Sequence, residues 1–461
     1  MVSNQNRLGF LFVPALAQVS VKAYKGNGFD LSPVIVTRPN TLFAVNFILP
    51  QSLYFQILNK KNQNQNKNTM KKLVFVILAV ASFSSCKKTV LEMSTIKSST
   101  QSLGINPKAD TLKKLLKKYT ADGIPGAVIA VKDNNGLWIG ADGYAKLEDK
   151  TKMSPAMLQI GRSITKIVTA TAIMQLKEKG MVNLDQPIKD YLPANLHGLV
   201  PKTNVVTVRM LLNQTSGYSE YIDAPEFQQR WLDNPLTVWT RAELQDLIKR
   251  TTTSLFVPGT DFKYSNTNYY LLSLLIDNIT GEPHGKMFQK DIFNKLGLNE
   301  TFYKQSQGYP FYNNLPNTYF PGFDNGKLEN NTSVNLAWEQ NEEYGTVGLI
   351  ASPENYISLM EGLVNGKLVS AASLSEMKQW VQGSRSSEPD YGLGLSYWGY
   401  KKKPNFGHDG DGVGCHSLLL YFPGSKTYLF IAVNATTHFG GKIQQTISNF
   451  QNEVCNYLAA F

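Results

Sequence analysis

Gly161-Arg162-Ser163-Ile164-Thr165-Lys166 places a hydroxyl and an amine three positions apart, just ahead of the apolar run Ile167-Val168-Thr169-Ala170-Thr171-Ala172-Ile173-Met174. A run that is apolar on nearly every side describes a buried helix. Ser163 is expected to open it, with its hydroxyl near unpaired backbone N–H groups and the positive dipole end. Lys166 then follows one turn later on the same face. A lysine held beside a serine in a dry pocket can lose its proton and act as, or support, a base. Ser-x-x-Lys by itself is weak and recurs at Ser84, Ser85, Ser94 and Ser375, none of which is assigned any chemistry. The setting of Ser163 and two further motifs in order single it out. The plain alternative is a helix cap followed by a surface lysine.

The second motif is Tyr264-Ser265-Asn266, after the turn Pro258-Gly259-Thr260. A phenol titrates near about 10 in water, and a cationic neighbour would lower that value and make Tyr264 a proton shuttle. Asn266 offers both a donor and an acceptor to a substrate amide. The alternative is a turn that packs an aromatic ring. The third motif is Gly407-His408-Asp409-Gly410-Asp411-Gly412, at the entry to an apolar strand from Cys415. Glycines there would let a substrate approach the strand backbone closely, as an oxyanion site requires. His408 is alternatively a strand-end histidine bonded to Asp409.

Together these residues resemble the serine β-lactamase and penicillin-binding-protein superfamily, in the branch of class C β-lactamases, D-alanyl-D-alanine carboxypeptidases and related esterases. That branch uses Tyr-x-Asn and often His-x-Gly for its second and third motifs, matching Tyr264 to Asn266 and His408 to Gly410. The resemblance covers about residues 107 to 440. It includes Met174-Gln175-Leu176 through Asp190-Tyr191-Leu192-Pro193, Leu211-Leu212-Asn213-Gln214-Thr215-Ser216-Gly217 and Tyr344-Gly345-Thr346-Val347-Gly348-Leu349-Ile350-Ala351-Ser352. It implies Ser163 as nucleophile, Lys166 and Tyr264 as the proton-handling pair, and Asn266, His408 and Gly410 at the substrate site. The backbone N–H groups of Ser163 and Asp411 would form the oxyanion hole. Two positions depart from the pattern: Arg162 stands where a small residue is usual, and Gln214 where histidine is frequent. Arg162 would crowd or electrostatically tune the pocket, and Gln214 reads as structural.

What must position these groups is legible at the two ends of the domain. Leu112, Leu115, Leu116 and Tyr119 share one helical face, predicting an amphipathic helix over 109–121. Gly126 to Lys132 and Leu137 to Ala141 are apolar strands around Asp133-Asn134-Asn135-Gly136, whose Asn-Gly signals a hairpin. Cys415 to Phe422 and Tyr428 to Val433 flank Pro423-Gly424-Ser425-Lys426, and Ile443, Ile447, Phe450, Val454 and Leu458 follow at helical spacing. The expected fold is α/β (α+β): one antiparallel sheet built from both chain ends, flanked by helices, with a helical insertion at about 155–340.

The chain has 461 residues, 42% hydrophobic and 11% aromatic, which argues against disorder, and three cysteines, too few for a disulfide framework. Its charge of +11 comes mostly from residues 1–86, where nine basic side chains face one acid. The remainder has 37 basic against 34 acidic residues, a net +3, which removes the argument for a nucleic-acid partner. Met70-Lys71-Lys72, the apolar run Leu73 to Phe83 and Ser84-Ser85-Cys86 read as a signal peptide over 70–86, with Cys86 as the lipidation site of a relaxed bacterial lipobox. Plain secretion and an ordinary apolar segment are the alternatives. The apolar run is too short for a transmembrane helix, which needs about 20 such residues. Residues 1–69 are expected to lie upstream of the true start, or else to be an unstructured extension, and 87–106 to be a tether. Lys401-Lys402-Lys403 reads as a solvated loop. His197, His284, His416 and His438 lack metal-ligand pairing, and no cofactor is implied. Cys415 and Cys455 read as buried free thiols, with a disulfide as the alternative. The expectation is a monomeric, membrane-anchored serine hydrolase of the cell envelope, facing the periplasm or exterior and acting on D-Ala-D-Ala peptides, β-lactams or short esters. Its competitor is a non-turnover penicillin-binding sensor or scaffold.

Overall fold

The computed structural model describes residues 36–38, 41–43, 90–92, 101–303, 314–321, 327–340, 345–382, 390–436 and 441–461. The proposed signal peptide, Cys86 and most of the proposed tether lie outside them. Two compact units divide the chain at Cys86. In the first, Val36–Arg38 pairs antiparallel with Thr41–Phe43.

The second unit carries the site. Its elements in chain order begin with β1 (Gln101–Gly104), α1 (Ala109–Ala121), β2 (Gly126–Asp133) and β3 (Gly136–Lys146). Five helices frame the middle of the chain: α2 (Thr165–Glu178), α3 (Pro225–Asp233), α4 (Asn266–Thr280), α5 (Thr332–Gln340) and α6 (Pro353–Val364). The chain closes with β4 (Asp390–Tyr391), β5 (Ser396–Tyr397), β6 (Phe406–Gly412), β7 (Cys415–Phe422), β8 (Thr427–Val433) and α7 (Lys442–Leu458). The strands form one antiparallel sheet in the order β4-β5-β6-β7-β8-β2-β3-β1. The β8–β2 pairing, Val433 opposite Ala127, joins the two ends of the chain as expected.

Both faces of this sheet are covered, which is why its central strands are apolar without alternation. Ala127, Ile129 and Val131 pack with α1 and α7 on one side, where Tyr119 meets Phe450 at 5.2 Å between ring centres. Val128 and Ala130 face the helical region on the other side, which includes α2. Every residue of α2 from Thr165 to Leu176 is buried, as a helix without a polar face must be.

Three expectations are corrected. The tether does not extend to 106, because Gln101–Gly104 pairs with Trp138–Ala141 and satisfies the open edge of β3. Val90–Glu92 likewise pairs with Lys327–Glu329. The helical insertion does not end near 340, since α6 follows it and the main sheet resumes only at Asp390. Tyr356 of α6 stacks on Phe430 of β8 at 4.3 Å, so this helix closes one face of the sheet. Ser352 capping and Pro353 at the helix start were readable signals for it. The first hairpin turns on Asn134 and Asn135, with Gly136 at φ 111° as the first residue of β3.

Candidate active site

Ser163 lies half-buried in a short 3₁₀ turn, Arg162–Ile164, that leads into α2. Lys166 is completely buried in the first turn of α2. Its Nζ donates to Ser163 Oγ at 2.9 Å, to Asn266 Oδ1 at 2.7 Å and to the Thr346 carbonyl at 3.3 Å. Three acceptors account for three ammonium protons and fix the direction of the side chain.

Asn266 opens α4, where Ser265 caps the helix by accepting from Thr267 N–H. The Asn266 backbone N–H and Nδ2 donate to Glu220 Oε2 at 2.6 and 3.0 Å. With Nδ2 turned to Glu220 and Oδ1 to Lys166, the amide is held from both ends. Gln214, at φ 66°, supports the same turn: its Oε1 accepts from Ser265 N–H at 3.0 Å and from Asn268 Nδ2 at 2.5 Å. It thus has a structural place in the fold.

Tyr264 is hydrogen-bonded to Ser163, but burial drives its pKa well above 10, and Tyr391, Asp409 and Glu220 push in the same direction. The expected lowering by a cation is therefore corrected. Lys166 Nζ sits 5.0 Å from the centre of the Tyr264 ring, and burial nevertheless sets the direction of the shift. Tyr264 is accordingly a neutral phenol across the ordinary pH range.

A cavity of about 750 Å³ opens in front of these groups. Ser163, Tyr264, Asn266 and Asp411 line it together with Arg162 and Glu220, while Phe227, Trp231, Trp338 and Trp398 supply aromatic walls. Phe227 stacks on Trp239 at 5.3 Å and meets Trp338 edge-on at 5.6 Å, which stiffens the wall formed by α3 and α5.

His408 and Gly410 do not line the cavity. His408 is 1% exposed; its Nδ1 donates to the Asp409 carbonyl at 2.6 Å and its Nε2 accepts from Tyr391 Oη at 2.9 Å. It meets the site through its ring contact with Tyr264, at 6.2 Å between ring centres, and through Tyr391, which packs edge-on against Tyr264 at 5.9 Å. Gly410 makes room for protein rather than substrate, because a Cβ there would lie 2.1 Å from the Gly161 carbonyl oxygen. The same holds at Gly412, where a Cβ would lie 2.4 Å from Arg162 Nε.

Burial lowers the pKa of His408 to about 4, against the opposing pull of Asp409. Between that value and the unfolded pKa of about 6.5, the unfolded chain binds the extra proton. His408 therefore contributes stability that is complete above about pH 6.5 and lost as pH falls towards 4, on the order of 3 kcal/mol. His408→Gln should flatten this acid slope in urea midpoints measured at pH 7.5 and 4.5. An unchanged slope would contradict the assignment.

Sequence reasoning missed Glu220, Tyr391, Asn335 and Glu339. Glu220 lies three residues past the Leu211-to-Gly217 stretch, and that proximity was its only signal. Cys415 and Cys455 are both buried free thiols.

Residues 112–446 match the family described as Beta-lactamase. The chain belongs to that family. Among curated relatives of this Beta-lactamase family member, protein flp of Staphylococcus aureus (strain COL) is 30% identical over 210 residues, 44% of this chain and 41% of that one. The chain thus spans less than half the length of that relative. Penicillin-binding protein 4* of Bacillus subtilis (strain 168) is 26% identical over 324 residues, 67% of each chain. Among solved structures, a D-stereospecific amidohydrolase from Streptomyces sp. superposes with a TM-score of 0.64 at 27% identity, covering 74% of this chain and 98% of that one.

Proposed function

We propose that this protein is a serine hydrolase that works through an acyl-enzyme. The contact between Ser163 Oγ and buried Lys166 Nζ at the cavity wall carries the reading. Ser163 Oγ adds to a substrate carbonyl carbon as Lys166 Nζ, having first released one proton to solvent, takes the hydroxyl proton, and Tyr264 carries it on to the leaving group. Because Tyr264 keeps its own proton, it relays by accepting and donating together. The N–H groups of Ser163 and Asp411 receive the developing negative charge. The carbon–nitrogen or carbon–oxygen bond then breaks, the leaving group takes the proton, and water cleaves the ester to free Ser163.

The motifs favour D-Ala-D-Ala-type peptides or β-lactams, as a D-alanyl-D-alanine carboxypeptidase or β-lactamase would use, with esters or slow penicillin sensing as variants. The cavity supports a second reading. Glu220, Asp223, Asp409 and Asp411 line it, and the charge of Arg162 is balanced by Glu339. A substrate carboxylate would meet like charge, whereas a free amine on an aromatic D-amino acid amide would meet opposite charge and aromatic walls. Similarity to the Streptomyces D-stereospecific amidohydrolase supports this reading.

Fluorescent penicillin, a chromogenic cephalosporin, a D-Ala-D-Ala peptide, D-phenylalanine amide and a nitrophenyl ester separate the cases. Labelling without turnover supports a sensor, and no reaction with any of them would sink the hydrolase. Burial raises the pKa of Glu220, and a bound ammonium would lower it again by favouring the carboxylate. Glu220→Gln should therefore cost about tenfold or more in kcat/KM for D-phenylalanine amide and much less in penicillin acylation. Equal losses on both would reduce Glu220 to a support for Asn266.

We also place the enzyme at the outer face of a membrane through a lipid on Cys86, a proposal supported by the residue pattern from Met70 to Cys86. Mass spectrometry of the mature N-terminus tests it; a tryptic peptide from before Met70 would overturn it.

A further inference from the structure

Arg162 is the part of the site that the acyl-transfer reading leaves unused. Its backbone is left-handed, at φ 47°, a conformation that a residue with a Cβ seldom adopts. The side chain is almost fully buried. Its Nη1 pairs with Glu339 Oε1 at 2.9 Å, its Nη2 donates to Asn335 Oδ1, and its Nε lies 3.5 Å from Cys415 Sγ. Glu339 and Asn335 both belong to α5, so one helix holds two arms of the guanidinium fork.

The two ends of this residue touch two halves of the site. Its carbonyl carbon is bonded to the Ser163 nitrogen, and its guanidinium packs under Gly412, the residue after Asp411. The strand end is fixed from the far side as well. Asn335 Nδ2 and Asn331 Nδ2 donate to the Val413 carbonyl at 2.7 and 2.6 Å. Ser417 Oγ donates to the Gly161 carbonyl at 3.0 Å, tying β7 to the start of the nucleophile turn. A charge balanced by Glu339 brings mainly shape, and a planar, rigid guanidinium is a better spacer than a flexible ammonium.

Resting on the acyl-transfer reading, we propose that Arg162, clamped by Glu339 and Asn335, is a positioning residue that sets the separation of the Ser163 and Asp411 backbone N–H groups. That separation matters only when a carbonyl oxygen becomes an oxyanion. Its disturbance should therefore raise the barrier to acylation without weakening ground-state binding.

The test uses the full chain, fluorescent penicillin and phenylboronic acid. In the boronate adduct, Ser163 Oγ bonds to trigonal boron and releases its proton, leaving a tetrahedral anion with no other bond broken. Removing one partner of a buried ion pair strands the other charge. The main variant is therefore Arg162→Met with Glu339→Met, which removes both charges while filling the space. Its acylation rate and phenylboronate affinity should fall together by about ten- to a hundredfold, with the penicillin Kd from rate saturation changing less than about threefold. Arg162→Lys keeps a charge for Glu339 but loses the fork. It should show the same pattern more weakly, and it carries the test if the double variant fails to fold.

A folded variant that acylates and binds phenylboronate within about twofold of wild type would overturn the positioning role, as would a change confined to Kd. Absence of Ser163-dependent labelling in the wild type would instead remove the acyl-transfer reading, and this inference with it.

Discussion

Ser163→Ala should lower both penicillin labelling and amide or ester hydrolysis by about a thousandfold or more, while the protein melts within a few degrees of wild type. Activity should disappear because the covalent intermediate needs this oxygen: Lys166 Nζ, Tyr264 and the cavity all converge on Ser163 Oγ. Stability should persist because the side chain is only half-buried and the main hold on Lys166 comes from Asn266 and Thr346 as well. Intact-protein mass spectrometry after incubation with penicillin provides the measurement. An adduct on the alanine variant at the wild-type rate would move the nucleophile elsewhere, with Ser396, which also lines the cavity, as the next residue to replace.

The second large effect is expected at Lys166. Lys166→Met keeps an unbranched side chain of similar volume in a fully buried position but removes the ammonium that bridges Ser163 Oγ, Asn266 Oδ1 and the Thr346 carbonyl. Acylation should slow by about a hundred- to ten-thousandfold, the range of a lost proton-transfer group. Three acceptors lose a partner, at about 1–3 kcal/mol each where no water replaces the bond, and this is offset by no longer burying a charge. Time courses of labelling, compared with thermal melting, separate the two effects. Acylation within about tenfold of wild type would make Lys166 a structural pin between α2 and α4 rather than a proton carrier.

These two residues were legible because their relation is local. Three positions along a helix put Ser163 and Lys166 on one face whatever surrounds them, and the all-apolar continuation told that the helix is buried. Both chain ends were readable for the same reason: the 109–121 helix, the two hairpins and the final helix each repeat their pattern within one element. The insertion was harder to bound, since nothing in the order of helices says which of them closes a sheet face, and α6 does so through Tyr356 and Phe430.

Within the site, residue types were easier to read than their environments. Tyr264 was found from its motif, but the sign of its pKa shift depends on burial and on the neighbouring Tyr391, Asp409 and Glu220, which come from elsewhere in the chain. His408 and Gly410 were named from a motif that folds as expected, as part of β6, yet one turns behind Tyr391 and the other packs on Gly161. Alternation along a strand assigns faces only when one face is known to be the site.

By itself the sequence determined the helix that carries Ser163 and Lys166, the strands and helices of both chain ends, and the placement of most of the net positive charge before Cys86. Only the tertiary structure decided which carboxylates line the cavity, that Glu220 orients Asn266, and that Arg162 finds Asn335, 173 residues away, and Glu339 beside it. Helical and strand periods record contacts between near neighbours in the chain. An ion pair between distant segments leaves no period, and it exists only once the sheet and α5 have brought its two halves into the same dry space.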